Sequence, residues 1–200
     1  MALQYSVTHR TNAIGTLTAD VGSAGVCKIW SGAMPASCVT PDSGTLLAQF
    51  TEAGAFGSSL TGVYTVTSPP ATTGLAAGTA GYFRWYPSAP STTNAVVQGN
   101  VYQSSTLVTS ALTAVNGNIL TFAAVSGLVV GQTVSGVGIL PNTTIIATSG
   151  TTVTLSLSST AGVASAATIT FGGDMTMSNT VIAVSQVVTF SSQTITAFGA

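Results

Sequence analysis

With three basic and four acidic side chains among 200 residues and a net charge of −1, this chain cannot act through long-range electrostatics. It lacks the lysines and arginines needed to neutralise a run of phosphates or to hold an anionic surface, which excludes nucleic-acid binding and electrostatic membrane attachment. Charged residues make up 4% of the chain and apolar residues 46%, against about 25% charged in ordinary globular domains, so the chain is built to fold and to associate rather than to repel.

The opening MALQYSVTHR has no basic stretch followed by an apolar core, so no classical signal peptide is expected. No uninterrupted apolar run reaches the roughly 18 residues of a membrane-spanning helix. Leu3, Val7, Ile14, Leu17 and Val21 recur at helical spacing and predict a helix over residues 6–20, although Arg10 interrupts the stripe and Gly15 weakens it.

After Gly22 the period changes to two. VCKIWS (26–31), TLLAQF (45–50), GVYTVT (62–67), GYFRWY (81–86) and NAVVQGNV (94–101) are short, rich in β-branched or aromatic residues, and bounded by Gly, Pro or Ser. Such spacing predicts an antiparallel β-sandwich or jelly roll. In GYFRWY the alternation puts Phe83 and Trp85 on the inward face and Tyr82, Arg84 and Tyr86 on the other. The turn-rich PSAPSTTN then returns the chain as a hairpin. Arg84 is expected to be a partly covered cation beside two tyrosines, at a boundary with another subunit. Trp30, Tyr82, Arg84 and Tyr86 are the candidate interface residues.

Residues 106–171 contain no charge and are punctuated by Asn116-Gly117, Ser126-Gly127, Pro141-Asn142 and Ser149-Gly150. In TTVTLSL (151–157), Val153, Leu155 and Leu157 alternate with Thr and Ser. This stretch reads as a small all-β module inserted into a body formed by residues 1–105 and 172–200, whose last part adds one or two strands. Loop tips accept such insertions at little thermodynamic cost. Cys27 and Cys38, eleven apart, are read as free thiols, with a disulfide permitted by the spacing.

Residues suited to catalysis are scarce. His9 is the one histidine, beside Arg10 in the predicted helix and with no carboxylate near it in sequence. Asp20, Asp42, Glu52 and Asp174 are scattered, and Asp42 sits in the turn sequence Pro41-Asp42-Ser43-Gly44. There is no zinc spacing, no GxSxG elbow, no phosphate loop and no dinucleotide fingerprint. The expectation is a non-enzymatic chain with no catalytic, metal or cofactor residues. The aromatic group Trp30, Tyr82, Trp85 and Tyr86 admits a second reading as a sugar platform, although core and interface packing is its commoner use.

MALQYSVTHR, CKIWSGAMPASC, SGTLLAQF, GTAGYFRWY, VVQGNV and GGDMTMSNTVIA together resemble small virion structural proteins of tailed bacteriophages. The likeness covers residues 1–101 and 172–200. The pattern passes almost directly from the VQGxV strand to GGDM, so the intervening stretch is a departure. That stretch resembles the GTTVTLS-type repeats of phage and bacterial surface proteins. The resemblance implies a capsid decoration or cement protein in the virion, assembled in the host cytoplasm. Its implied partners are the major capsid protein, other virion proteins and copies of itself. A tail or fibre position, or a host-surface carbohydrate-recognition role, is the alternative.

Overall fold

The computed structural model describes residues 5–87, 94–103, 105–177 and 179–196. The fold is all-β, and among the described residues helix is confined to the N-terminal segment. That segment holds two helices, α1 (Val7–Gly15) and α2 (Leu17–Val21), where a single helix over 6–20 was expected. Ser6 caps α1, its side chain accepting from the His9 amide at 3.1 Å. The break falls at Gly15–Thr16, where glycine is a poor helix former and the Thr16 hydroxyl donates to the Ala13 carbonyl at 3.0 Å. Of the expected apolar stripe, Ile14 and Val21 are buried and Leu17 packs against the core. Val7 is exposed, and Leu3 lies outside the described residues.

The strands in chain order are β1 (Val26–Ser31), β2 (Leu46–Thr51), β3 (Gly57–Leu60), β4 (Val63–Val66), β5 (Thr72–Thr73), β6 (Gly78–Tyr86), β7 (Val97–Gln103), β8 (Ser105–Val108) and β9 (Ile119–Thr121). They continue with β10 (Thr133–Gly136), β11 (Ile145–Ser149), β12 (Thr152–Leu155), β13 (Thr168–Gly172), β14 (Met175–Met177), β15 (Val181–Ile182), β16 (Val187–Val188) and β17 (Phe190–Thr196). The chain divides into two compact units: Met1–Tyr102 with Asp174–Ala200, and Gln103–Gly173.

The first unit holds a large sheet in the order β2-β1-β6-β7-β14-β17-β4-β3, with β15 pairing to the start of β6, and a separate two-stranded sheet, β5–β16. The ladders β1–β2, β1–β6, β6–β7, β14–β17, β17–β4 and β3–β4 are antiparallel. The expected β6–β7 hairpin is present, although its connection over 88–93 lies outside the described residues. The sheet curls so that distant strands face each other. Trp85 Nε1 on β6 donates to Gln193 Oε1 on β17 at 2.8 Å, and the Phe56 ring meets Trp85 edge-on at 4.8 Å. This curling encloses a core containing Ile29, Leu47, Phe50, Tyr64, Phe83 and Trp85. Each such side chain contributes about 1.5–3 kcal/mol of burial. Phe83 and Trp85 therefore point inward, as the alternation predicts.

The second unit has two three-stranded antiparallel sheets, β10-β13-β8 and β11-β12-β9, around Leu120, Phe122, Val153, Leu155, Ile169 and Phe171. With no ionisable group to satisfy buried polar atoms, hydroxyls do so. Thr109 Oγ1 donates to the Ala164 carbonyl at 2.7 Å, and Ser159 Oγ to the Ala114 carbonyl at 3.0 Å. The turn signals at Asn116 and Asn142 both adopt φ of 62°, a conformation asparagine tolerates. Leu157 departs from expectation: β12 ends at Leu155 and Leu157 is exposed.

Candidate functional site

The expected interface residues converge on one place, which is inside the first unit. β6 lies between β1 and β7, so Arg84 has Lys28 and Gln98 as cross-strand partners. The face opposite the core is closed by the β1–β2 connection, residues 32–45, folding back across Tyr82, Arg84 and Tyr86. Arg84 is 2% exposed, Tyr82 0% and Tyr86 5%. The picture of Arg84 as a partly covered surface cation is therefore corrected, and three of the four candidate interface residues are interior. Trp30 is half-buried, its ring stacked on Tyr82 at 6.5 Å.

Every donor of the guanidinium is used. Nη1 donates to Asp42 Oδ1 at 2.8 Å and to the Thr40 carbonyl at 2.7 Å. Nη2 donates to the Ser37 carbonyl and to Gln98 Oε1, both at 2.8 Å. Nε donates to Gln98 Oε1 at 3.1 Å. These are the five N–H bonds an arginine can make. Gln98 Nε2 in turn donates to the Pro35 carbonyl at 2.8 Å. The Tyr86 hydroxyl donates to Asp42 Oδ1, and the Tyr82 hydroxyl donates to the Ser43 carbonyl while accepting from the Ser43 amide at 2.9 Å. Lys28 Nζ, on the strand position opposite Arg84, lies 4.7 Å from the centre of the Tyr86 ring.

The electrostatics follow from enclosure. Burial pushes the Tyr86 phenol up, and Asp42 adds to the effect. Burial opposes the charge on Arg84, but its hydrogen bonds to Asp42 and Tyr86 raise its pKa on balance. This is a satisfied ion pair with no free donor left for a ligand, and its chemistry is that of a clamp on the 32–45 loop. Sequence reasoning found Arg84 but missed Asp42, Gln98 and the carbonyls of Ser37 and Thr40. The available signal was that a chain with four acids has few ways to neutralise an arginine set among aromatic residues.

The remaining candidates stay apart. His9 is exposed and stacks on Tyr5 at 5.0 Å. Asp174 Oδ2 accepts from the Asn100 amide at 3.0 Å. Cys27 is buried and Cys38 half-buried, and both are free thiols. Among the described residues no group of three His, Cys, Asp or Glu is placed to hold a metal ion, and no helix is long and apolar enough to cross a membrane. No protein-family model, curated protein or solved structure matches this chain.

Proposed function

We propose that this chain is a bacteriophage virion structural protein, a capsid decoration or cement protein. It stabilises the head by packing against the major capsid protein and against copies of itself, and catalyses no reaction. The observation that carries the reading is the exposed surface: large apolar side chains stand in solvent on a chain with almost no charge. In the first unit, residues 72–79 run antiparallel to 181–188 through the β5–β16 and β15–β6 pairings. That pairing brings exposed Leu75, Val181, Val184 and Val187 to one corner. The second unit exposes Leu112, Val115, Val137 and Ile146 without any ionisable residue. Burial at about 25 cal/mol per Å² holds subunits together without a chemical step, and contacts made without charge tolerate salt.

The resemblance of residues 1–101 and 172–200 to virion proteins supports the same reading. The tail-fibre or carbohydrate-recognition alternative relied on an aromatic platform. Tyr82, Trp85 and Tyr86 are interior, so they offer no such surface. The test is co-sedimentation of purified protein with phage heads that lack it. Wild type is expected to bind at high copy number, and the pair Val184→Asp with Val187→Asp to bind weakly while unfolding at the wild-type midpoint. Undiminished binding by that pair would remove the corner from the contact, and no binding by wild type would contradict the decoration role.

A further inference from the structure

Glu52 is the buried acid among the described residues. It follows β2 and extends that strand's core-facing series past Ala48 and Phe50. Its amide donates to the Gly25 carbonyl at 2.9 Å. It thus sits opposite a residue with no side chain and diagonal to Cys27. Glycine is required at position 25, since a Cβ there would come within 2.2 Å of Val21 Cγ1 on α2. Glu52 is 4% exposed, and its Oε1 is buried with no hydrogen-bond partner.

The titratable groups around this corner offer it no counter-ion. Cys27 on β1 and Tyr64 on β4 are both acids, and the Tyr64 hydroxyl is hydrogen-bonded with Thr18 of α2 at 2.6 Å. Burial, with a contribution from Glu52, pushes up the pKa of the Cys27 thiol, and the Tyr64 phenol is raised by burial and Glu52 against the pull of Thr18. Lys28 lies on the opposite face of β1, over Tyr86. Asp20 on α2 is exposed, and Arg10 on α1 packs over Gly62 at the β3–β4 turn. A carboxylate buried in these surroundings is strongly disfavoured, whereas a neutral carboxylic acid is tolerated.

We propose that Glu52 is a proton-held latch: the protonated carboxyl lets the α2–β1 corner close on the core, and its ionisation loosens that corner. Burial raises the Glu52 pKa from 4.5 to about 7 in the folded chain. The folded state keeps the proton where the unfolded state has released it. The stabilising contribution is therefore complete below about pH 4.5, declines as pH rises, and is gone once pH passes the folded value.

The test is thermal unfolding of the full chain and of Glu52→Gln, a neutral isostere, at about pH 5 and about pH 8.5, on either side of the carboxyl's titration. Wild type is expected to melt several degrees lower at the higher pH, with Glu52→Gln nearly flat between the two. Equal pH dependence in both proteins, or none in wild type, would overturn the proposal. Should Glu52→Gln fail to fold, carbon NMR of the wild-type carboxyl decides. Titration near neutrality supports the latch, and titration in the ordinary carboxylate range refutes it. Amide exchange at residues 21–27, corrected for intrinsic rates, must also speed up with pH. Unchanged protection there would contradict the loosening of this corner.

Discussion

Removing the Arg84 side chain would take a donor from four acceptors at once, Asp42 Oδ1, Gln98 Oε1 and the carbonyls of Ser37 and Thr40, and leave Asp42 Oδ1 with Tyr86 but without its counter-ion. Breaking a buried pair by deleting one partner costs about 3–5 kcal/mol, so Arg84→Ala should lower stability by that order. Arg84→Lys should fall between the two, because an ammonium offers three donors at one point rather than five in a plane. Denaturant unfolding measures both, and an Arg84→Ala variant as stable as wild type would show that the clamp holds nothing. The alternation in GYFRWY predicts which residues share a face with Arg84. It cannot reveal what lies on that face, because the cover comes from residues 32–45, whose Pro-Asp-Ser-Gly sequence reads as a surface turn. Asp42 is such a turn residue and also the counter-ion, and the second role depends on a contact 42 residues away in sequence.

The same loop depends on how β1 ends. The β1–β6 register shifts between Trp30 and Ser31, bringing Gly81 against the Gly32 backbone. A Cβ at position 81 would lie 2.0 Å from the Gly32 carbonyl oxygen. Backbone cannot move aside as a flexible side chain can, so Gly81→Ala is expected to destabilise by about 1–3 kcal/mol, the usual range for overpacking. Chemical denaturation checks this, and a neutral result would mean the irregularity relaxes freely. Strands with clean two-residue alternation and aromatic or β-branched residues, such as β1 and β6, were legible in the sequence. GSSL of β3 was not, because its small polar residues carry little hydrophobic pattern and its pairing with β4 comes from the sheet. The N-terminal helix was legible in kind but not in continuity. Its periodicity runs through Gly15, but the helix is interrupted at Thr16, between α1 and α2.

At the level of the whole chain, the neutral stretch between Arg84 and Asp174 contains the second unit, Gln103–Gly173, and ends where that unit ends. It begins inside β6 of the first unit, so the turn signals from Asn116 onward and not the missing charge point to the second unit's start. The two ends of the first unit are neighbours: β7 and β14 are adjacent in the sheet, and Asp174 bonds to Asn100. Replacing residues 103–173 with a short turn should therefore leave the first unit cooperatively folded. Near-ultraviolet circular dichroism reports on it directly, since both tryptophans, Trp30 and Trp85, lie in that unit. A flattened spectrum would mean the first unit depends on the second to fold.

The proposed role requires that the exposed valines and leucines be covered by other protein in the assembled particle. The most direct test of the proposed virion role is cryo-electron microscopy of phage particles assembled in cells that express this chain, with copy number counted by quantitative mass spectrometry. The account predicts many copies bound at repeated positions on the outside of the head. Absence of the chain from finished particles would contradict it.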